Sequence, residues 1–199
     1  MNPHIVPIVE GFSETESVPI LLRRILQETL RVYDVDVARP FRLTRTRVVR
    51  PGELERAIQL ALADREGAEA ILVLMDADND CPATLAPVLA ARCKPVCPKP
   101  FAVVLAEREF EGWFLGAKKS LRNVRGIRPD AQPPAEPEKI RGAKEELSRN
   151  MVDGRRYQEV DDQPALAAQM DLAEARSACA SFDKLLREVA TLVRHIHRP

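Results

Sequence analysis

The sequence has no excess charge of either sign, no long apolar run and few cysteines. Among its 199 residues, thirty basic ones balance thirty acidic ones, so net charge favours neither a nucleic acid nor a membrane surface as a partner. The longest apolar runs have the length of strands, far short of the roughly 20 residues that span a bilayer. No basic segment followed by an apolar stretch opens the chain. The sequence therefore predicts a cytoplasmic protein with no membrane partner.

Two further absences concern metal and nucleotide chemistry. The four cysteines are scattered, and although Cys93 and Cys97 are close in sequence, no second pair and no nearby histidine completes a zinc set. We expect reduced, structural thiols, because a chain of this size folds without disulfides. The sequence also contains no glycine-rich phosphate loop, so any ATP hydrolysis would have to come from a partner.

Strands and helices alternate through the first two thirds of the chain. Apolar and β-branched runs predict four strands, at residues 5–9, 41–49, 70–75 and 101–105. Helical spacing of apolar residues predicts helices between them, at residues 16–30, 53–63 and 82–92. This order predicts an α/β fold with a mostly parallel four-stranded sheet flanked by helices.

The composition changes after a helix predicted from Glu109. Residues 126–138 contain four prolines and little apolar content, which is typical of a linker or an extended loop. Three helices are predicted beyond it, at residues 138–151, 165–179 and 181–195. We therefore predict an α/β domain over residues 1–123, a proline-rich linker or loop over 124–138, and a helical extension over 139–199 that packs on the first domain.

Acidic residues follow two of the predicted strands. Glu10 comes after the first strand, and Asp76, Asp78 and Asp80 follow the third. The carboxyl ends of parallel strands lie along one edge of a sheet, so these side chains are expected to share a crevice. Carboxylate oxygens suit Mg2+, with Mn2+ as a substitute, and this chemistry serves phosphodiester or phosphoryl reactions. The alternative is a hydrogen-bonded acidic loop that holds no metal.

Two other acidic motifs share features with the segment that begins at Asp76. A calcium-binding EF-hand needs glycine where Cys81 stands and glutamate where Pro87 stands, so that motif is excluded. A phosphatase of the haloacid dehalogenase type also uses Asp-x-Asp, but usually after its first strand and before Thr or Gly. Here the motif follows the third strand and precedes Asn79, and a phosphatase stays as an alternative.

Val9-Glu10-Gly11, followed by a later apolar strand that ends in Asp76-Ala77-Asp78, resembles the Toprim catalytic domain. Toprim domains occur in topoisomerases, bacterial primases, small RNA-processing nucleases and the overcoming-lysogenization-defect nucleases. Nearly the whole chain is similar to a bacterial family of stand-alone Toprim-like proteins related to the last group. The segments that carry this wider resemblance are 9–14, 72–82, 108–114 and 181–185.

The resemblance implies a Mg2+-dependent nuclease. It implies that Glu10 is the general acid or base and that Asp76 and Asp78 hold the metal. Glu14 matches a second acid of nuclease-type Toprim domains, which could hold a further metal or a metal-bound water. Asp80 matches a third acid of topoisomerase-type members. No extended DNA-binding apparatus accompanies these residues, which argues against a topoisomerase or a primase.

The resemblance also bears on partners. Members of such families are often encoded beside ATPases, which implies an ATPase partner in addition to a nucleic acid. The alternative function is then a non-catalytic subunit of an ATPase-containing complex, whose acidic site binds a metal or a nucleotide. Whether the helical region forms a homodimer is left open.

Other charged residues are candidates for the same site. Glu109 follows the fourth strand and is predicted as an additional acid, whereas Glu111, two residues on, is expected to point elsewhere. Arg45 and Arg47 project to one face of the predicted second strand. These arginines have two possible roles. They could bind phosphate, or they could be solvated charges that protect an edge strand from aggregation.

Overall fold

The structure is a computed structural model that describes residues 2–64 and 66–198. Within these residues, five strands form a sheet in the order β2-β1-β4-β5, and β3 also pairs with β1. Each of these pairings is parallel. The strands are β1 (His4–Val9), β2 (Asp36–Val37), β3 (Phe41–Arg42), β4 (Ala68–Asp76) and β5 (Phe101–Ala106). The predicted α/β fold with a mostly parallel sheet is confirmed.

Helices cover both faces of the sheet. Those on the chain before the proline-rich segment are α1 (Glu14–Arg24), α2 (Arg45–Val48), α3 (Glu53–Ala63), α4 (Pro82–Cys93) and α5 (Gly112–Gly116). Those after it are α6 (Ala143–Arg149), α7 (Glu159–Gln169), α8 (Leu172–Ala178) and α9 (Ala180–Ile196). A π-helical turn, Ile25–Thr29, extends α1, and a 3-10 turn spans Pro137–Lys139. In the described part of the chain, no helix is long and apolar enough to cross a membrane.

Alternating side chains of the central strand divide the interior into two cores. Leu72 and Leu74 of β4 face a core that contains residues of α1 and of the C-terminal helices. Ile71 and Val73 face a second core, built with α3 and α4. Because successive side chains on a strand point to opposite faces, the apolar run of β4 is buried on both sides.

The C-terminal helices share a core with the sheet. Trp113 of α5 packs edge-on against Phe182 of α9, with ring centroids 5.2 Å apart. Ile127 and Ala131 from the proline-rich segment are buried in the same core. Ile127 also forms an antiparallel bridge with Met151. Residues beyond 123 therefore cover one face of the sheet.

The predicted second strand is wrong over most of its length. Only Phe41–Arg42 is a strand, and residues 45–48 form α2. β3 pairs with Ile8 and Val9 at the end of β1, and Leu43 donates a backbone hydrogen bond to Val9 at 2.8 Å. Beyond that point β1 has ended, so the next residues have no neighbouring strand to pair with.

The helix predicted over residues 165–179 is also wrong, because it is two helices. α7 ends at Gln169 and α8 begins at Leu172. The side chain of Asp171 accepts hydrogen bonds from the backbone N–H groups of Ala173 at 2.7 Å and Glu174 at 2.9 Å. An aspartate that caps a helix in this way favours the start of a new helix. The predicted segment is therefore divided at Asp171.

Candidate metal and acid-base site

The turn after β1 places Glu10 and Glu14 side by side. Oε2 of Glu14 accepts hydrogen bonds from the backbone N–H groups of Glu10 at 2.9 Å and Gly11 at 3.2 Å. Glu14 is the first residue of α1 and only 5% of it is exposed. The turn thus folds this carboxylate back over the end of β1.

Asp76 ends the neighbouring strand. Val9 of β1 is in register with Leu74 of β4, so Glu10 and Asp76 follow adjacent strands at the same edge of the sheet. Oδ1 of Asp76 accepts a hydrogen bond from the backbone N–H of Phe110 at 2.8 Å. Phe110 lies in the segment that follows β5, so this segment helps to orient the Asp76 carboxylate.

Glu111 lies in the same region and is almost fully buried, with 1% exposed. Its Oε1 accepts hydrogen bonds from the Tyr157 hydroxyl at 2.9 Å and from Nε2 of Gln163 at 3.1 Å. Nζ of Lys144 is 4.0 Å from the same oxygen. Gln163 in turn accepts from the Ser17 hydroxyl at 2.6 Å, which connects α7 to α1.

Glu10, Glu14, Asp76 and Glu111 together form what we call the acidic cluster. Burial raises the pKa of all four carboxyl groups, and that of Glu14 reaches about 7. Repulsion from neighbouring carboxylates adds to the rise in pKa for Glu10, Glu14 and Asp76. The cluster therefore concentrates negative charge in a region where charge is poorly solvated.

Lys144 of α6 partly neutralises the acidic cluster. Burial lowers the pKa of this lysine, but attraction to Glu111 and Glu159 outweighs that effect and leaves the pKa above its ordinary value. Its Nζ is 2.5 Å from Oε2 of Glu159. The lysine is consequently a fixed positive charge beside the carboxylates.

Asp78 and Asp80 lie at the exposed rim of the cluster. Both side chains are more than half exposed, and both are near the guanidinium of Arg45, which contacts Asp80 directly and lies 3.9 Å from Asp78. Asp78 has a left-handed backbone with φ of 52°, and its N–H donates to the carbonyl of Arg108 at 3.0 Å. Its charge contributes to the raised pKa of Glu10. The loop after β4 thus places Asp78 and Asp80 next to the cluster.

Two predicted candidates have other partners. The carboxylate of Glu109 accepts hydrogen bonds from the backbone N–H groups of Gly142 at 2.9 Å and Ala143 at 3.1 Å, where α6 begins. Arg47 is paired with Glu53 at 2.5 Å. Since Arg45 and Arg47 belong to a helix and not a strand, they do not share the face that the strand prediction gave them.

The donor set of the cluster fits a hard divalent cation. Oε2 of Glu10 and Oε2 of Glu111 are buried and accept no hydrogen bond from the described residues. Carboxylate oxygens of this kind are the ligands that Mg2+ prefers, and a cation would relieve the repulsion among them. Within residues 2–64 and 66–198, however, no three acidic, histidine or cysteine side chains already converge as a metal-binding group.

Sequence reasoning missed several residues of this site. Glu111 was expected to point elsewhere as part of a helix, but α5 begins only at Gly112. A single acid inside the apolar run from Phe110 to Leu115 is a signal that could have indicated burial. Lys144, Tyr157 and Gln163 lie far along the chain and carry no local motif.

The fold and the site define an α/β protein with buried carboxylates at the carboxyl edge of a parallel sheet. The chain belongs to the family described as "Domain of unknown function (DUF4276)", whose model matches residues 9–190. No curated protein matches the chain. No solved structure matches it either. The matched residues include all four acids of the cluster and most of the C-terminal helical region that contacts them.

Proposed function

We propose that the protein is a Mg2+-dependent nuclease of Toprim type that acts in the cytoplasm. The observation that carries this proposal is the acidic cluster, in which four carboxylates with raised pKa values lie where strands β1, β4 and β5 end at one edge of the sheet. Carboxyl groups whose pKa values are shifted strongly by burial and by mutual repulsion are typical of functional sites. A divalent cation supplies the compensating charge.

Asp76 and Asp78 are the proposed metal ligands, with Glu14 and Asp80 as further acids. The backbone N–H of Phe110 holds one oxygen of Asp76 and leaves the other for the metal. When bound, Mg2+, or Mn2+ in its place, supplies Lewis-acid stabilisation of phosphoryl oxygens and lowers the pKa of water.

Glu10 is the proposed general acid or base. Its carboxyl has a raised pKa, because burial and the charge of Asp78 both disfavour ionisation. A pKa nearer neutrality suits a group that accepts and returns a proton. Its buried Oε2, which accepts no hydrogen bond from the described residues, is available for that proton.

A second candidate function is a non-catalytic subunit that binds a metal or a nucleotide within an ATPase-containing complex. Lys144 favours it, because an ammonium 4.0 Å from Glu111 offsets part of the negative charge without a metal. In that case the isolated chain binds its ligand and cleaves nothing.

The test is cleavage of labelled DNA and RNA, single- and double-stranded, with Mg2+ or Mn2+. Wild type is compared with Asp76→Asn, Glu10→Gln and the control Asp130→Asn, whose side chain is 79% exposed and outside the cluster. Asparagine retains an oxygen that can accept from Phe110, so Asp76→Asn is expected to fold. We expect metal-dependent cleavage by wild type and the control and a loss of at least about a hundredfold in the other two. Equal cleavage by Asp76→Asn would exclude this mechanism, and binding of metal without cleavage by wild type would favour the second function.

A further inference from the structure

A cleft with an excess of basic residues opens beside the acidic cluster. It has a volume of about 600 Å³ and lies between α6 and the segment that leads to α7. Four cations line it against two carboxylates, although the whole chain is neutral. The cations are Lys144, Arg149, Arg155 and Arg156.

Residues that line the cleft also contact the acidic cluster. Lys144 lines the cleft and reaches Glu111, and the Tyr157 hydroxyl at its wall donates to the same carboxylate. Glu159, another lining residue, lies against the turn after β1, because a methyl group placed on Gly11 would be 3.6 Å from its Oε1. The cleft therefore adjoins the site proposed for cleavage.

The arginines of the cleft have capacity for further partners. Arg156 is exposed, and it has no ion-pair or hydrogen-bond partner in the part of the chain that the structure describes. Arg155 is held in place by Asp162 at 2.7 Å, yet its buried Nε finds no acceptor among the described residues. Among the described residues, Arg149 pairs with Glu146 at the surface, and 70% of its side chain is exposed. Such guanidinium groups bind phosphate oxygens well.

An exposed aromatic residue lies in the turn that carries Glu10 and Glu14. Phe12 follows Gly11 in the turn between Glu10 and Glu14, and 61% of it is exposed. A phenylalanine in water is unfavourable, whereas an unpaired base can stack on its ring. A base paired within a duplex offers no free face for this contact.

We propose that the cleft and Phe12 bind an unpaired nucleic acid strand, with its phosphates on Arg149 and Arg156 and a base on Phe12. This inference rests on the proposed function, since it names the path of that nuclease's substrate. It predicts that binding depends on residues outside the acidic cluster.

The test measures the fluorescence anisotropy of labelled 20-nucleotide single strands and duplexes in a chelator, which separates binding from cleavage. The double variant Arg149→Ala/Arg156→Ala is compared with Arg187→Ala, a surface arginine of α9 that is 66% exposed and similarly paired within its helix. We expect the double variant to bind about tenfold more weakly and the control to bind as wild type does. The slope of log affinity against log salt concentration should become shallower by about 1.4 in the double variant, as the loss of two phosphate contacts requires.

The aromatic contact has its own matched control. Phe12→Ala is compared with Tyr33→Ala, in which the aromatic side chain lost is 67% exposed at another surface. We expect single-strand binding to weaken at least about fivefold in Phe12→Ala alone, as base stacking would require. Equal effects of each variant and its control, or preference for a duplex, would overturn the inference. If these variants bind and cleave as wild type does, the proposed role of the cleft is wrong but the nuclease proposal stands. If the protein binds single strands as expected but cleaves nothing, the nuclease proposal is wrong and the role of the cleft stands.

Discussion

Tyr157 donates a hydrogen bond to Oε1 of Glu111 at 2.9 Å, and both residues are buried. Burial and the charge of Glu111 raise the pKa of the tyrosine above its ordinary value, so it remains a donor at any physiological pH. This contact joins the segment before α7 to the segment after β5. The helical part of the chain therefore takes part in the electrostatics of the sheet's acidic edge.

The first prediction concerns the cost of a negative charge at Asp76, which is partly buried. In a chelator at pH 8, Asp76→Asn should raise the melting temperature, because burial and three nearby carboxylates disfavour the ionised form that this side chain has in the unfolded chain. An increase of at least about 2 °C is expected, corresponding to roughly 1 kcal/mol in a chain of this size. Thermal unfolding followed by circular dichroism measures it, with Asp130→Asn as control. A clear decrease would mean that the carboxylate is stabilising without a metal.

The second prediction concerns metal addition. Mg2+ or Mn2+ should raise the melting temperature of wild type in a saturable way, since a ligand that binds only the folded state stabilises it. At about a hundred times the dissociation constant the gain is roughly 2.7 kcal/mol. The double variant Glu10→Gln/Asp76→Asn should lose the response, whereas Asp130→Asn keeps it. An equal response in the double variant would place the metal elsewhere.

The third prediction concerns pH. Glu14 has a folded-state pKa of about 7, compared with 4.5 for the ordinary side chain, so the folded state holds a proton that the unfolded chain has released. Between these two values the contribution of Glu14 lowers the free energy of unfolding as pH rises, and below about 4.5 this contribution no longer changes with pH. In a chelator, the melting temperature of wild type should therefore decrease from pH 5.5 to pH 7.5.

Glu14→Gln tests the assignment of that pH effect. The glutamine oxygen can still accept from Glu10 and Gly11, so the turn is kept while the titrating group is removed. The decrease with pH should become shallower than in wild type. Glu16→Gln, at an exposed position of the same helix, should leave it unchanged. Identical pH profiles for all three proteins would show that Glu14 does not titrate in this range.

The fourth prediction concerns the attachment of α9 to the sheet. Oγ of Ser181 accepts hydrogen bonds from the Trp113 indole N–H at 2.8 Å and from the backbone N–H of Glu107 at 3.2 Å. Ser181→Ala would leave a buried indole donor unpaired and should reduce the free energy of unfolding by about 1–3 kcal/mol. Urea unfolding followed by Trp113 fluorescence measures this, with Ser177→Ala at an exposed position of α8 as control. A loss no larger than the control's would show that the indole is satisfied in another way.

Local patterns were sufficient for the main features of the sheet. The apolar run at 70–75 predicted a strand buried on both faces, and β4 is such a strand, with Asp76 at its end. The position of Glu10 beside Asp76 followed from strand order and parallel pairing. Local patterns failed at residues 45–48, since a strand there requires a neighbour that β1 no longer provides.

The sequence by itself determined which acids follow the strands, because strand burial and alternation are encoded in consecutive residues. Only the tertiary structure decided that Glu111 joins them while Glu109 caps the start of α6. It also brought Lys144 and Tyr157 to the cluster from more than thirty positions further along the chain. Hydrogen bonds and charge interactions depend on distance in space, and the packing of the C-terminal helices on the sheet sets those distances.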